Sequence, residues 1–241
     1  MQIGILYGIS LGTGDPELIT VKGLRLLQKV SVVAFPTGLG SKLGIAEQIA
    51  SPWLKANQQK LALHFPYVQD EAVLQQAWQE AAKRVWQHLK LGHDVAFVCE
   101  GDISFYSTFT YLAQTLVELH PEAVIERVPG VCSPMAAAAE VGMPITVRSD
   151  RLVVLPALYT VQELEAVLEW ADVVVLMKVS SVYDRVWQVL QQRDLLDRAW
   201  VVERATFPDR LIYTDLRDRP SLKLSYFSLL VVSVKQSLRS Q

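Results

Sequence analysis

Short apolar runs alternate along this chain with longer stretches in which apolar residues recur every three to four positions. The first pattern marks strands and the second marks helices that bury one face. Ile5–Leu11 predicts a first strand, ended by the turn Gly12-Thr13-Gly14-Asp15-Pro16. A helix is expected from Pro16 to about Gln28, with Asp15 as N-cap, Pro16 at its first position and Leu18, Val21, Leu24 and Leu27 facing inward. Val30–Phe35 and Val95–Cys99 are unbroken apolar runs, as in strands covered on both faces. Between them, Asp70 is expected to cap a helix that reaches about Lys90 and stops at Gly92. Its inward stripe is Val73, Leu74, Ala77, Ala81, Val85 and Leu89. Ser107–Leu119 reads as a helix and Ala123–Val128 as a strand.

Pro129-Gly130 interrupts this pattern, and a second block follows. Ser133–Val141 is an alanine-rich helix, Leu152–Leu155 a strand, and Thr160 with Glu163 forms a capping box for a helix to Trp170. Val173–Met177 predicts a strand, Val182–Gln191 a helix and Trp200–Glu203 a strand. Leu211–Tyr213 and Phe227–Val234 read as adjacent strands, open to antiparallel pairing. Alternation of this kind predicts an α/β fold with mainly parallel sheets and helices on both faces. The break near mid-chain divides it into two αβα domains, 1–128 and 129–241.

Composition narrows the function classes. Of 241 residues, 51% are hydrophobic and 20% charged, which excludes a disordered chain. The net charge of −2 provides no basic field for nucleic acid or anionic lipid, so neither is an expected partner. Cys99 and Cys132 are too few for a disulfide framework, and the four histidines form no HxxxH or HExxH pair, so no metal site is expected. The first ten residues carry no Lys or Arg, unlike a secretory signal, and no apolar run reaches the roughly 18 residues of a spanning helix. A reducing, cytoplasmic setting is the expectation. Six tryptophans and a mean hydropathy of +0.21 suggest more apolar area than one chain hides, which favours a homodimer joined through the second domain.

Two glycine turns carry the candidate chemistry. Gly12-Thr13-Gly14 resembles a nucleotide turn, yet GxGxxG would require glycine where Glu17 stands, and no Gly-Lys-Ser/Thr triplet follows. The ribose-binding acid expected about 20 residues on is missing, since no Asp or Glu lies between Glu17 and Glu47. Asp15 and Glu17 place negative charge where a pyrophosphate would sit, so a cationic or neutral ligand suits the turn better. Glu100-Gly101-Asp102 follows the strand Val95–Cys99, where open α/β sheets bind ligands. Phe105 and Tyr106 offer an aromatic wall, which favours a cationic centre such as a sulfonium. The plainer alternatives are a helix cap at Asp15, and an Asp cap with two core aromatics in the second loop.

The stretch Leu6–Thr20, with its Gly-Thr-Gly-Asp-Pro-Glu centre, resembles the opening motif of the tetrapyrrole (corrin/porphyrin) methyltransferases. Glu100-Gly101-Asp102, Val128-Pro129-Gly130-Val131-Cys132-Ser133, Met177 and Val202-Glu203-Arg204-Ala205-Thr206 follow in that family's order. Within the family, stretches 100–109, 176–179 and 203–209 are most similar to the branch that methylates C20 of precorrin-2 in cobalamin biosynthesis. The resemblance implies two αβα domains, with S-adenosylmethionine in the cleft between them and S-adenosylhomocysteine as product. It implies cofactor contacts at Gly12, Thr13, Gly14, Glu100, Gly101, Asp102, Phe105, Cys132 and Ser133. It adds Met177 and Ala205 as residues that pack on the adenosine from the second domain, and a homodimeric state. One departure is informative. Phe35-Pro36 stands where the uroporphyrinogen III enzymes carry an acid, which argues against uroporphyrinogen as substrate.

A meso carbon of a reduced tetrapyrrole is electron-rich and attacks a sulfonium methyl directly. Glu100 and Asp102 are therefore assigned to binding rather than to proton transfer. A base is needed only to remove the meso proton, and Tyr106 is the one candidate, with a packed aromatic as the alternative. The carboxylates of a tetrapyrrole call for cations, and Lys42, Arg148, Arg151, Lys178 and Arg204 lie near the motifs. The plainer alternative for each is a solvated surface charge. Rival readings are a sibling methyltransferase acting on another tetrapyrrole carbon or on diphthine, and a nicotinamide or flavin oxidoreductase with an atypical glycine turn.

Overall fold

A computed structural model describes residues 2–37, 43–156 and 161–235. The chain divides into two units, Met1–Cys132 and Ser133–Gln241. The boundary falls beyond Val128 because the Pro129-Gly130 turn stays bonded to the first unit, where the Gly130 N–H donates to Asp102 Oδ2 at 2.7 Å.

The first unit runs β1 (Ile5–Ser10), α1 (Val21–Lys29), β2 (Val32–Pro36), α2 (Ile45–Ala50), β3 (Gln59–Leu63), α3 (Glu71–Leu89), β4 (Val95–Cys99), α4 (Phe109–Leu119) and β5 (Val124–Val128). Its sheet has the order β3-β2-β4-β1-β5, and all four pairings are parallel. β4 lies between β2 and β1 and is buried along its whole length, which explains its unbroken apolar run. The core gathers Leu6, Val32, Ala34, Val95 and Phe97 from the strands with Ala81, Val85 and Leu89 of α3 and Phe109, Leu112 and Leu116 of α4. β1 connects over the sheet to β2 on one side, and β4 connects to β5 on the other. The carboxyl ends of β1 and β4 therefore form a switch point, where α/β sheets place their ligands.

Several expected elements begin or end elsewhere. Asp15 does cap a turn, but only the short 3-10 helix Pro16–Leu18, its side chain accepting from the Glu17 N–H at 2.8 Å. The chain then extends at Ile19, and Thr20 caps α1 by accepting from the Gly23 N–H at 3.1 Å. This restart rotates the helix, so Gly23, Leu26 and Leu27 are buried while Val21 is 86% exposed. Val73 of α3 is likewise exposed, because the first turn of that helix projects past the core. Asp70 caps α3 as expected, accepting from the Ala72 and Val73 N–H groups. Neither α2 nor β3 was expected; both are short, and β3 is an edge strand whose first two residues are exposed.

The second unit runs α5 (Ser133–Val141), β6 (Leu152–Leu155), α6 (Val161–Leu168), β7 (Val173–Met177), α7 (Tyr183–Gln192), β8 (Ala199–Glu203), β9 (Leu211–Tyr213) and β10 (Ser228–Ser233). The Thr160 cap lies outside the described residues. The sheet order is β6-β7-β10-β8-β9. β6 and β7 are parallel, whereas β10 is antiparallel to both β7 and β8, and β9 is antiparallel to β8. The expectation that Leu211–Tyr213 and Phe227–Val234 are neighbours is thus corrected. The last strand is apolar on both faces, so it inserts between two buried strands rather than taking the exposed edge, which β9 occupies. Among the described residues, five of the eight strand pairings are parallel. Leu176, Val201, Leu230, Val186 and Leu190 lie in the core of this unit.

Candidate cofactor and substrate site

In the first unit, three loops at the carboxyl ends of β1, β4 and β5 are knitted together. Gly12 and Gly101 exchange backbone hydrogen bonds, Gly12 N–H to Gly101 O at 3.2 Å and Gly101 N–H to Gly12 O at 2.6 Å. Both have positive φ, +77° and +72°. A side chain at Gly12 would bring its Cβ within 2.5 Å of Leu18 Cβ, whereas one at Gly101 would meet open space. Gly101 thus presents bare backbone on an open side, suited to close approach of a ligand.

Ser10 sits beneath these loops with no exposed surface. Its hydroxyl donates to Val128 O at 2.7 Å and accepts from the Ile103 N–H at 2.7 Å, joining the ends of β1 and β5 to the acidic loop. Asp102 adds the third tie. Its Oδ1 accepts from the Ser104 N–H at 2.8 Å and its Oδ2 from the Gly130 N–H at 2.7 Å. Asp102 is thus a clamp between two loops, with each carboxylate oxygen already accepting a backbone hydrogen bond. Glu100, Thr13, Gly14 and Phe105 are partly buried around the same loops, and Phe105 meets the ring of Tyr106 edge-on at 4.8 Å. Tyr106 is 54% exposed and has a left-handed backbone, φ +51°. Cys132, partly buried, ends the first unit, and Ser133 opens α5 of the second. Cys99 is fully buried below the loop. Its sulfur accepts from Ser107 Oγ at 3.4 Å, and burial pushes the thiol far above its ordinary range.

In the second unit, β7 and β8 point the same way, so their carboxyl ends share one edge. Met177 ends β7, and Lys178 follows in left-handed conformation, φ +56°. Glu203 ends β8, and Arg204 follows likewise, φ +53°. The Lys178 ammonium lies 5.1 Å from the Tyr226 ring centroid. The Arg204 guanidinium lies 4.2 Å from that of Phe207 and donates from Nε to Asp209 Oδ1 at 2.8 Å. That bond holds the Asp209 carboxyl below its ordinary range. Ala205, buried, is next in line. Met177, Lys178, Arg204 and Ala205 are therefore brought to one edge.

Arg151 is not. It precedes β6 at the opposite edge, where its backbone N–H and Nε both donate to Asp172 Oδ2, at 2.8 and 2.9 Å. Lys235 pairs with the same carboxylate. Arg151 is held in an ion pair with the buried Asp172, away from the edge that carries Lys178 and Arg204. Arg148 is exposed in the loop before β6, and Lys42 lies outside the described residues. Sequence reasoning missed Ser10 and Gly130; the only signal for Ser10 was a lone polar residue closing an apolar strand. Among the described residues, no group of three His, Cys, Asp or Glu side chains is placed to hold a metal ion, and no helix is long and apolar enough to cross a membrane.

Known proteins bear on this geometry. The cobalamin biosynthesis protein CobIJ of Mycobacterium tuberculosis is 35% identical over 234 residues; the match takes in 94% of this chain but 45% of that protein, so the chain spans about half its length. The cobalt-precorrin-2 C(20)-methyltransferase of Salmonella typhimurium is 32% identical over 95% of this chain and 96% of its own. The uroporphyrin-III C-methyltransferase of Thermus thermophilus, solved in complex with S-adenosylhomocysteine, superposes with a TM-score of 0.67 at 20% identity, covering 95% of this chain and 92% of its own. Residues 5–219 match the family profile of the tetrapyrrole (corrin/porphyrin) methylases. A match over most of the chain, together with the paired glycine loops at the switch point, means that this protein belongs to the tetrapyrrole (corrin/porphyrin) methylases.

Proposed function

We propose that the protein is an S-adenosylmethionine-dependent C-methyltransferase that methylates C20 of precorrin-2, or of its cobalt form, in cobalamin biosynthesis. The observation that carries this reading is the likeness to a cobalt-precorrin-2 C(20)-methyltransferase along nearly the full length of both chains. The residues fit the cofactor. The glycine loop leads into an acidic 3-10 turn instead of a phosphate cradle, and Gly101 leaves bare backbone facing open space.

When bound, the cofactor supplies an electrophilic methyl group on a sulfonium. The chain's own task is to hold both reactants in line, at about 3–3.5 Å, and to exclude water. Ser10, Gly12, Asp102 and Gly130 fix the loop that carries Glu100, Gly101 and Phe105. Thr13, Gly14, Cys132 and Ser133 complete the cofactor contacts, and Met177 with Ala205 packs on the adenosine. Glu100 and Asp102 bind without moving a proton, since a sulfonium loses its charge as the methyl leaves, and tight ion pairing would favour the ground state. Lys178 and Arg204 are cations proposed for the substrate carboxylates, together with Arg148 and Lys42. Tyr106, exposed, is proposed to take up the meso proton at its hydroxyl oxygen while passing its own hydroxyl proton to solvent. A homodimer in the cytoplasm is part of the same proposal.

The test is incubation with precorrin-2 and cobalt-precorrin-2 and a methyl-labelled cofactor, with the labelled carbon located by NMR. Label at C20 is expected. Label at another carbon would indicate a sibling specificity. Binding of NADH in place of S-adenosylhomocysteine would overturn the reading.

A further inference from the structure

Thr37 and His64 meet at the carboxyl edge of the first sheet, the edge that carries the glycine and acidic loops. Thr37 follows β2 and His64 follows β3, each one residue past the Pro36–Leu63 pair of that parallel ladder. Thr37 Oγ1 lies 3.5 Å from His64 Nδ1, and the Thr37 N–H donates to Leu63 O at 2.8 Å. The backbone on either side of His64 is fixed. Phe65 meets the core ring of Phe97 edge-on at 6.1 Å, and Arg84 Nη1 donates to Ala62 O at 2.6 Å. The His64 side chain is exposed, and with Nδ1 turned to Thr37 its Nε2 faces away from that contact. An imidazole held in this way is an oriented hydrogen-bonding group on an anchored strand end.

Position narrows its role. In the order β3-β2-β4-β1-β5, β3 lies two strands from β4, so His64 stands no less than two strand spacings, about 10 Å, from the acidic loop. That span is too long for a group acting on the carbon beside the sulfonium. It suits the rim of a tetrapyrrole, where the carboxylates are carried. Charge is graded along the same edge: Glu100 stands on the loop assigned to the sulfonium, and Thr37 and His64 bring O–H and N–H groups farther out. Resting on the tetrapyrrole reading above, we propose that His64 binds a rim carboxylate of the substrate, with Thr37 as its positioning residue. The Thr37 hydroxyl donates to Nδ1 and so fixes the tautomer that carries its proton on Nε2, and Nε2–H donates to the carboxylate.

The experiment is steady-state kinetics at saturating cofactor with whichever of precorrin-2 and its cobalt form the wild type methylates, beside calorimetric titration with S-adenosylhomocysteine. His64→Ala is expected to raise KM for the tetrapyrrole by about fivefold to tenfold, the low end for a hydrogen bond to a charged group because the side chain is exposed. Its kcat and its affinity for S-adenosylhomocysteine stay within about twofold of wild type, as loss of uniform substrate binding requires. His64→Gln keeps most of the substrate affinity, because its amide donates where Nε2 did, whereas His64→Asn reaches only the Nδ1 position and behaves like alanine. Thr37→Val raises KM by about threefold, through the released tautomer. Rescue by asparagine and not by glutamine would show a purely structural bond to Thr37 and overturns the assignment. A fall in kcat at unchanged KM also overturns it, since His64 would then act at the reacting carbon. Unchanged KM in folded His64→Ala overturns the contact and leaves the tetrapyrrole reading intact. Should that variant not fold by circular dichroism, Thr37→Val and the contrast of glutamine with asparagine still decide. A wild type that binds S-adenosylhomocysteine but methylates neither tetrapyrrole refutes the reading above, and the contact falls with it.

Discussion

Replacing Asp102 with alanine isolates the clamp that joins the acidic loop to the Pro129-Gly130 turn. Two hydrogen bonds are lost. The one from the Gly130 N–H, 2.7 Å and partly buried, is charge-assisted and contributes about 1.5–3 kcal/mol. The one from the Ser104 N–H, 2.8 Å but solvent-exposed and local, contributes about 0.5–1 kcal/mol. The sum is about 2–4 kcal/mol, and for a chain of this size each kcal/mol lowers Tm by about 2–4 °C. A drop on the order of 5–15 °C is therefore expected by calorimetry, with circular dichroism native below the transition. Asp102→Asn should lose about half as much, since its amide satisfies only one of the two N–H groups in either orientation. Amide hydrogen exchange at Gly130 gives the local readout: protection in the wild type, lost in Asp102→Ala. Affinity for S-adenosylhomocysteine should fall by about 1–3 kcal/mol through the released loop. Unchanged melting together with a still-protected Gly130 amide would refute the clamp. Lower stability with unchanged affinity would show that Asp102 serves the fold alone.

The two bridged glycines should behave differently. Gly101→Ala meets no atoms and should cost only the left-handed backbone, about 1–2 kcal/mol, whereas Gly12→Ala adds a 2.5 Å clash with Leu18 and should destabilise further in chemical denaturation. Acid stability should depend on Asp172, whose carboxyl is held far below its ordinary 3.8 by hydrogen bonds from Arg151 and then Lys235. A depressed folded-state value stabilises the protein fully above about pH 4 and loses that contribution as pH falls further, so Asp172→Asn should flatten this part of the stability–pH curve. An unaltered acid limb would show that the triad adds nothing. Iodoacetamide near neutral pH should label Cys132 and spare Cys99, whose thiol burial keeps protonated; mass spectrometry of the two peptides reads the difference.

Local pattern was enough wherever an element's environment repeats along its own length. Val95–Cys99 and Val173–Met177 were legible to the residue, as was the α5 helix, because burial on both faces or an alanine-rich run leaves a mark in adjacent residues. The glycine turn and the acidic loop were legible as loops at strand ends for a similar reason, since each interrupts an apolar run. The α1 restart was hidden, because Leu18, Val21, Leu24 and Leu27 keep a helical spacing across the break that Thr20 imposes. α2 and β3 were hidden because neither is long enough to show a period.

What depends on distant pairing came only with the tertiary structure. The insertion of β10 between β7 and β8, the bridge from Gly12 to Gly101, and Ser10 holding Val128 and Ile103 join residues far apart in sequence. Tertiary placement also separated the cations. Arg151 is held at one sheet edge by the buried Asp172, while Lys178 and Arg204 emerge together at the other. Strand identity is set by a few neighbouring side chains, but which partner a charge meets is set by what the fold brings beside it.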